Sequence, residues 1–233
     1  MDVLVIDVGG SHVKFVASGQ RKRRKFDSAP DLTPRAFVDR VLDAVRDWRF
    51  DVVSLGYPGL VGPHGPVQEP GNLGTGWVEF DFAAAFGTPV RVVNDAVMQA
   101  LGGYEGGRML FLGLGTGLGS ALVSDHVVVP MELGNLPYTN GEPLGRRLGR
   151  KGLHAHGRAA WLQSVSDATS TLRDAFAADY VVLGGGNARH VRPLPERTKR
   201  GRADGAFIGG FRLWEETIEP HDRTPPLVWR VVR

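Results

Sequence analysis

The sequence predicts a duplicated α/β fold whose two halves face one another across a cleft. Three observations lead there. Short apolar runs alternate with stretches of helical spacing, the pattern of strands packed against helices. The succession strand, glycine turn, strand occurs twice, over residues 3–18 and again over 109–129, as a repeated unit would require. The 32 glycines gather at the ends of apolar runs, in DVGGSH, GYPGLVGPHGP, GNLGTGW, LGGYEGG, GLGTGLGS and VLGGGN. Glycine at such a place lets the backbone approach a ligand or turn with positive φ. Ligands of α/β sheets lie outside the carboxyl ends of the strands, where these glycines sit.

Residues 3–8 and 13–18 read as strands around the Gly9-Gly10-Ser11 turn, and the RKRRK run at 21–25 as the tip of a second hairpin. A helix is predicted over 33–48, capped by Thr33, with Phe37, Val41, Leu42, Val45 and Trp48 at helical spacing. Residues 52–57 form a buried strand ending at Pro58-Gly59, and a Gly/Pro-rich loop runs from there to Trp77. A short helix at 80–86, a strand at 90–93 and a helix from Asn94-Asp95 to about 101 complete the first half. In the second half, strands at 109–114 and 121–129 flank the turn 115–119, and a polar, basic stretch covers 132–158. A helix around 159–177, a strand at 180–183 ending in Gly184-Gly185-Gly186, and a closing helix at 206–216 follow. The predicted division is an N-terminal lobe 1–97, a C-terminal lobe 98–216 and a Pro- and Arg-rich tail 217–233, with a late strand at 227–232.

A chain of 233 residues can bury a sizeable core, and 42% hydrophobic with 23% charged residues is ordinary for a soluble protein. The net charge of +3 suits an anionic ligand but falls short of a nucleic-acid-binding footprint. The absence of cysteine excludes disulfides, thiolate nucleophiles and cysteine-based zinc sites. The first apolar stretch lacks a basic flank and is too short for a signal segment. No apolar run reaches the roughly 18 residues of a membrane span. A cytoplasmic protein without membrane or nucleic-acid partners is expected.

Four constellations can carry chemistry. Asp7 closes an apolar strand before Gly9, Gly10 and Ser11, with Lys14 beyond. A carboxylate there must be solvated, paired or bound to a cation. It either stabilises the turn or holds Mg²⁺ beside a phosphate-cradling loop. In the run Gly113–Ser120 glycine recurs every second residue, unlike a P-loop or a dinucleotide fingerprint. Its N–H groups, with the hydroxyls of Thr116 and Ser120, suit phosphate oxygens. Asn94-Asp95 lies between a strand and an apolar helix; it is either a helix cap or a substrate-orienting amide beside a general base. Gly184-Gly185-Gly186 leaves room for a flat base or ribose against the backbone.

Taken in order, DVGGSHVK, GYPG, NLGTGW, VVNDA, GLGTGLGSAL, MELGN and VVLGGGNA resemble the signature segments of the ROK sugar kinases, and most of all the polyphosphate/ATP glucokinase branch. The resemblance spans residues 3–216 and implies the two-lobed actin-like ATPase (ribonuclease H-like) duplicated fold with a central cleft. It implies that Asp95 deprotonates the sugar 6-hydroxyl. Asn94 and Glu132 would bind sugar hydroxyls, with Asn72 and the Pro58-Gly59 backbone lining the same pocket. Asp7 would organise Mg²⁺. The turns 9–11 and 115–119, with Lys14, Gly115, Thr116 and Gly117, would hold the phosphates of ATP or polyphosphate. Gly184, Gly185 and Gly186 would lie along a nucleotide, and a homodimer is the family expectation.

The sequence departs from that pattern where Glu132-Leu133-Gly134 is followed by Asn135 instead of His. Asn135 can still donate and accept a hydrogen bond to the sugar. A second sugar-binding Glu has no clear place; Glu142 is the nearest. A non-catalytic sugar or nucleotide sensor of the same fold, or a kinase for another small alcohol, are the alternative readings. His154 and His156 read as a solvated pair on a loop and not as a metal site. The basic clusters 21–25, 146–151 and 198–202 would suit a polyanionic donor if they converge on the cleft. Trp77 either packs beneath the sugar loop or stacks on a sugar face.

Overall fold

The computed structural model describes residues 1–215 and 230–232. Strands β1 (Val3–Val8), β2 (His12–Ala17), β3 (Arg24–Asp27) and β4 (Val52–Tyr57) belong to the first sheet. Helix α1 (Pro34–Ala44) is capped by the Thr33 hydroxyl accepting from the Ala36 N–H, as its sequence predicts, and ends four residues before Trp48. Two two-residue strands, β5 (Val61–Gly62) and β6 (Gly65–Pro66), form a small hairpin in the loop after β4. Helix α2 (Phe82–Phe86), β7 (Val90–Asn94) and α3 (Asp95–Gly103) follow. The five-stranded sheet runs β3-β2-β1-β4-β7, with β1–β2 and β2–β3 antiparallel and β1–β4 and β4–β7 parallel.

The second sheet repeats this order and these directions. Strands β8 (Met109–Leu114), β9 (Leu118–Ser124), β10 (Val127–Met131), β11 (Tyr180–Gly184) and β12 (Thr198–Arg200) are arranged β12-β11-β8-β9-β10. Their pairs are antiparallel for β8–β9 and β9–β10 and parallel for β8–β11 and β11–β12. The duplication legible in the glycine turns is thus present strand for strand. A sixth strand, β13 (Arg230–Val231), pairs in parallel with β10. It realises part of the strand expected at 227–232; residues 216–229 and 233 lie outside the described residues.

Three expectations are corrected. The single strand at 121–129 is a hairpin, because Asp125 and His126 both take positive φ (48° and 62°) and turn the chain between β9 and β10. Such two-residue turns usually advertise themselves with Asn-Gly or Asp-Gly, and Asp-His hides this one. Helix α5 spans Arg150–Ala175 and not 159–177, interrupted at Gly157 (φ 74°, ψ 164°). It therefore carries His154 and His156 on helix, preceded by a short α4 (Leu144–Leu148). The closing helix α6 covers Gly205–Arg212, shorter than expected.

Helices α3 and α6 cross between the two sheets. Glycine makes this possible: a Cβ at Gly102 would come 1.9 Å from the Gly205 carbonyl oxygen, and one at Gly209 1.8 Å from that of Met98. On its other side α6 meets the first sheet, where the buried Ser54 hydroxyl donates to the Gly210 carbonyl (2.6 Å) and accepts from the Trp214 indole N–H (2.9 Å). Residue 97 is inside α3. One core fills this central layer, a second lies between the first sheet and α1–α2, and a third between the second sheet and α4–α5.

Candidate functional site

Two clefts open at the carboxyl ends of the strands and share the walls Gln99 and Gly185. The first, about 300 Å³, is lined by Gly10, Pro58, Gly59, Asn72, Asn94, Asp95, Glu132 and the turn 113–119.

Asn94 and Asp95 owe their place to the junction of β7 and α3. Asn94 is the N-cap, its Oδ1 accepting the Ala96 N–H at 2.9 Å, while its Nδ2 donates to the Gly59 carbonyl at 2.9 Å. Capping and site-building are therefore one arrangement: the residue that starts the helix also pins the Pro58-Gly59 loop. Asp95 Oδ1 accepts from the same Ala96 N–H at 2.8 Å and has no cationic partner among the described residues. Its pKa is pushed up to about 7, first by burial and then by the negative charges of Asp7 and Glu132, against the opposing Ala96 hydrogen bond. A carboxyl titrating there is suited to general-base work at neutral pH.

The loop between β4 and α2 is held by a residue that sequence reading missed. Glu69 accepts backbone N–H groups from Gly76 (3.0 Å), Trp77 (3.1 Å) and Val78 (3.4 Å), and these bonds lower its pKa against the opposing pull of burial. The Tyr57 hydroxyl donates to the Gln68 carbonyl at 2.7 Å. The loop so tied carries Asn72, whose Nδ2 would lie 3.2 Å from a Cβ on Gly10. Trp77 is fully buried against Phe37 and Tyr57, with its indole N–H on the Leu32 carbonyl at 3.2 Å. It packs beneath the loop and presents no face to a sugar.

The second cleft, about 580 Å³, is lined by Asp7, Lys14, Arg23, Arg189, Arg200 and Arg202 with Gly184–Gly186 and Phe207. Asp7 pairs with Lys14 across β1–β2; burial raises its pKa and the Lys14 charge partly offsets this. The Gly184–Gly186 turn packs onto the end of β8. Gly185 has φ 77°, and a Cβ there would strike the Leu114 backbone at 2.6 Å. Asn187 Nδ2 donates to the Gly115 carbonyl at 3.0 Å, tying the triple-glycine turn to the 115–119 turn.

Gly10, Gly59, Asn72, Asn94, Asp95, Gly115, Thr116, Gly117 and Glu132 thus meet in one cleft, and Asp7, Lys14, Gly184, Gly185 and Gly186 in the other. Gly9 lies behind Gly10, its N–H closing the turn onto the His12 carbonyl at 3.0 Å, and Ser11 is exposed; neither lines a cleft. Asn135 is exposed and outside both. Glu142 pairs with Arg146, Arg147 and His156 beside a separate cavity, so it is not part of the first cleft. Two of the three basic clusters converge on the second cleft, through Arg23 and through Arg200 and Arg202. The third, with Arg146, Arg150 and Lys151, lines the separate cavity together with His154 and His156. No cluster of three metal-ligating side chains occurs among the described residues. Gln99 and Arg189 were missed; Gln99 was findable, standing one helical turn after Asp95.

No family model matches the chain. It is 28% identical over 206 residues to a polyphosphate glucokinase of Mycobacterium tuberculosis, covering 79% of this chain and 77% of that protein. Its fold superposes with a TM-score of 0.76 on the polyphosphate/ATP-glucomannokinase of Arthrobacter sp. strain KM, at 24% identity over 90% of this chain and 96% of the other. A ROK family glucokinase from Streptomyces griseus in complex with glucose and AMPPNP matches with a TM-score of 0.66 at 15% identity, over 91% and 99% of the two chains. The chain is thus similar in sequence to polyphosphate glucokinases and shares the duplicated fold of these solved sugar kinases.

Proposed function

We propose that the chain transfers a phosphoryl group from polyphosphate or ATP to the 6-hydroxyl of a hexose, glucose before others. The observation that carries this is Asp95, a carboxyl with a pKa near 7 in one cleft, which shares the walls Gln99 and Gly185 with a second cleft lined by Lys14 and four arginines. The sugar lies in the first cleft against Asn72, Asn94 and Glu132, and the donor phosphates in the second, with the 115–119 turn between them. Asp95 accepts the hydroxyl proton as the sugar oxygen attacks; the donor's charge is met by Lys14 and the arginines. Asp7, whose carboxylate has no hydrogen bond among the described residues, fits a hydrated Mg²⁺. Such an ion would neutralise charge on the donor phosphates.

Polyphosphate is the better donor for this cleft. Its aromatic ring, Phe207, has the Arg23 guanidinium over one face at 4.5 Å from the ring centroid, so that face is closed to a stacking base. The likeness to proteins named polyphosphate glucokinase supports the same choice. Residues 1–97 and 98–216 act as two lobes that close over the substrates and keep water from the donor. The protein works in the cytoplasm; no helix among the described residues is long and apolar enough to cross a membrane.

The test is product formation with Mg²⁺, a panel of hexoses, and either ATP or polyphosphate. Glucose phosphate with polyphosphate, and less with ATP, is the expected result. A folded, sugar-binding protein that makes no sugar phosphate from any pair would overturn the kinase reading in favour of a sensor.

A further inference from the structure

We propose that Gln99 is a further catalytic residue, donating a side-chain N–H to the phosphoryl group in transit between the two clefts. The inference rests on the kinase reading above. Gln99 and Gly185 are the walls common to both clefts, and of these Gln99 alone has a side chain. It stands four residues after Asp95 on α3, so both side chains lie on one helix face, a turn apart. The side chain is half-buried and its amide makes no hydrogen bond within the described residues. A Cβ on Gly184 would come 3.4 Å from Gln99 Oε1, so the amide lies against the strand end from which the donor turn springs. A polar amide placed so has its partner supplied by what enters the cleft.

The chemistry favours an uncharged donor at this point. The moving group spreads negative charge over three oxygens and gains from any donor fixed along its path. A lysine or arginine one turn from Asp95 would also pull the base's pKa down, whereas an amide leaves it near neutral. In the step, the bond from phosphorus to the leaving phosphate oxygen breaks and its electron pair stays on that oxygen. The bond from the hexose oxygen to phosphorus forms, and the hydroxyl proton passes to Asp95. Gln99 neither gains nor loses a proton.

Two measurements test this. Gln99→Met keeps the length and removes the donor; kcat should fall on the order of 10²-fold, with sugar and donor KM changed by no more than about threefold. Wild-type kcat in a folded Gln99→Met protein overturns the proposal. Separately, the Asp95→Asn protein is labelled with ¹⁵N and titrated with inorganic tripolyphosphate. The Gln99 side-chain amide signal, identified by its loss in the Asp95→Asn/Gln99→Met double variant, should shift. A signal that stays put at every tripolyphosphate concentration overturns the proposal even if the wild type proves to make no sugar phosphate. That second failure, taken alone, would sink only the kinase reading.

Discussion

Replacing Asp95 by Asn separates what this carboxyl does for chemistry from what it does to stability. The Asn side chain is isosteric and can keep the hydrogen bond from the Ala96 N–H, but it cannot take a proton from a hydroxyl. General-base catalysis contributes about 10²–10⁴-fold, so sugar-phosphate formation should fall by that factor while sugar affinity stays nearly unchanged. The stability effect runs the other way. Asp95 titrates near 7 in the folded protein against an ordinary 3.8, so the folded state holds a proton that the unfolded chain has already released. The stability lost to ionisation is nil below pH 3.8, grows as pH rises, and is complete above about pH 7. At about 1.36 kcal/mol per pH step the full penalty is about 4 kcal/mol, and partial exposure trims it to about 2–4 kcal/mol. Denaturant unfolding of wild type and Asp95→Asn at pH 5 and pH 8 measures it. The variant should be the more stable at pH 8, with the gap narrowing at pH 5. A variant of wild-type activity would refute the base, and a gap that does not change with pH would refute the buried-charge account.

Four further outcomes follow from the same geometry. Wild-type kcat/KM should drop about tenfold per pH unit below about 7, where Asp95 becomes protonated; a profile flat to pH 5 would contradict this. Glu69→Gln should loosen the acceptor loop and raise the sugar KM roughly tenfold, since each charged hydrogen bond it weakens is worth about 1.5–3 kcal/mol, and leave the donor KM alone. The lowered Glu69 pKa means that its hold on the loop is present above the ordinary 4.5 and lost as pH falls through the depressed value. Arg23→Ala should raise the polyphosphate KM and flatten its dependence on salt without changing the sugar KM, measured by steady-state kinetics between low and high ionic strength. Gly209→Ala should destabilise by about 3 kcal/mol or more, because its methyl would overlap the Met98 carbonyl; an unfolding midpoint equal to wild type would rule out the tight crossing.

Most of the frame was readable in the sequence because period-two apolar runs and glycine punctuation are local signals. Both glycine hairpins, the Thr33 cap and the Asn94-Asp95 junction lie where patterning puts them. The β9–β10 turn was hidden because Asp125-His126 adopts positive φ without a glycine, and the early turns of α5 because 150–158 is polar and interrupted by Gly157. In the site, motif residues were legible and their supports were not. Glu69 acts on backbone N–H groups seven to nine residues away, an arrangement with no sequence signature. Arg23 and Arg202 line one cleft although some 180 residues of chain separate them. Asn135 shows the limit in reverse: its place in the motif suggests a sugar contact, yet the side chain sits outside both clefts.

The crossing of α3 and α6 also bears on how such a molecule can move. Where helices touch through backbone, with no interposed side chains, they have nothing to ratchet past one another, and the contact behaves as a fulcrum. Asp95 begins α3, about 10 Å along the axis from Gly102, so its carboxyl stands close to that fulcrum. A rotation of one sheet against the other about this contact would leave the Asp95 carboxyl close to its own position.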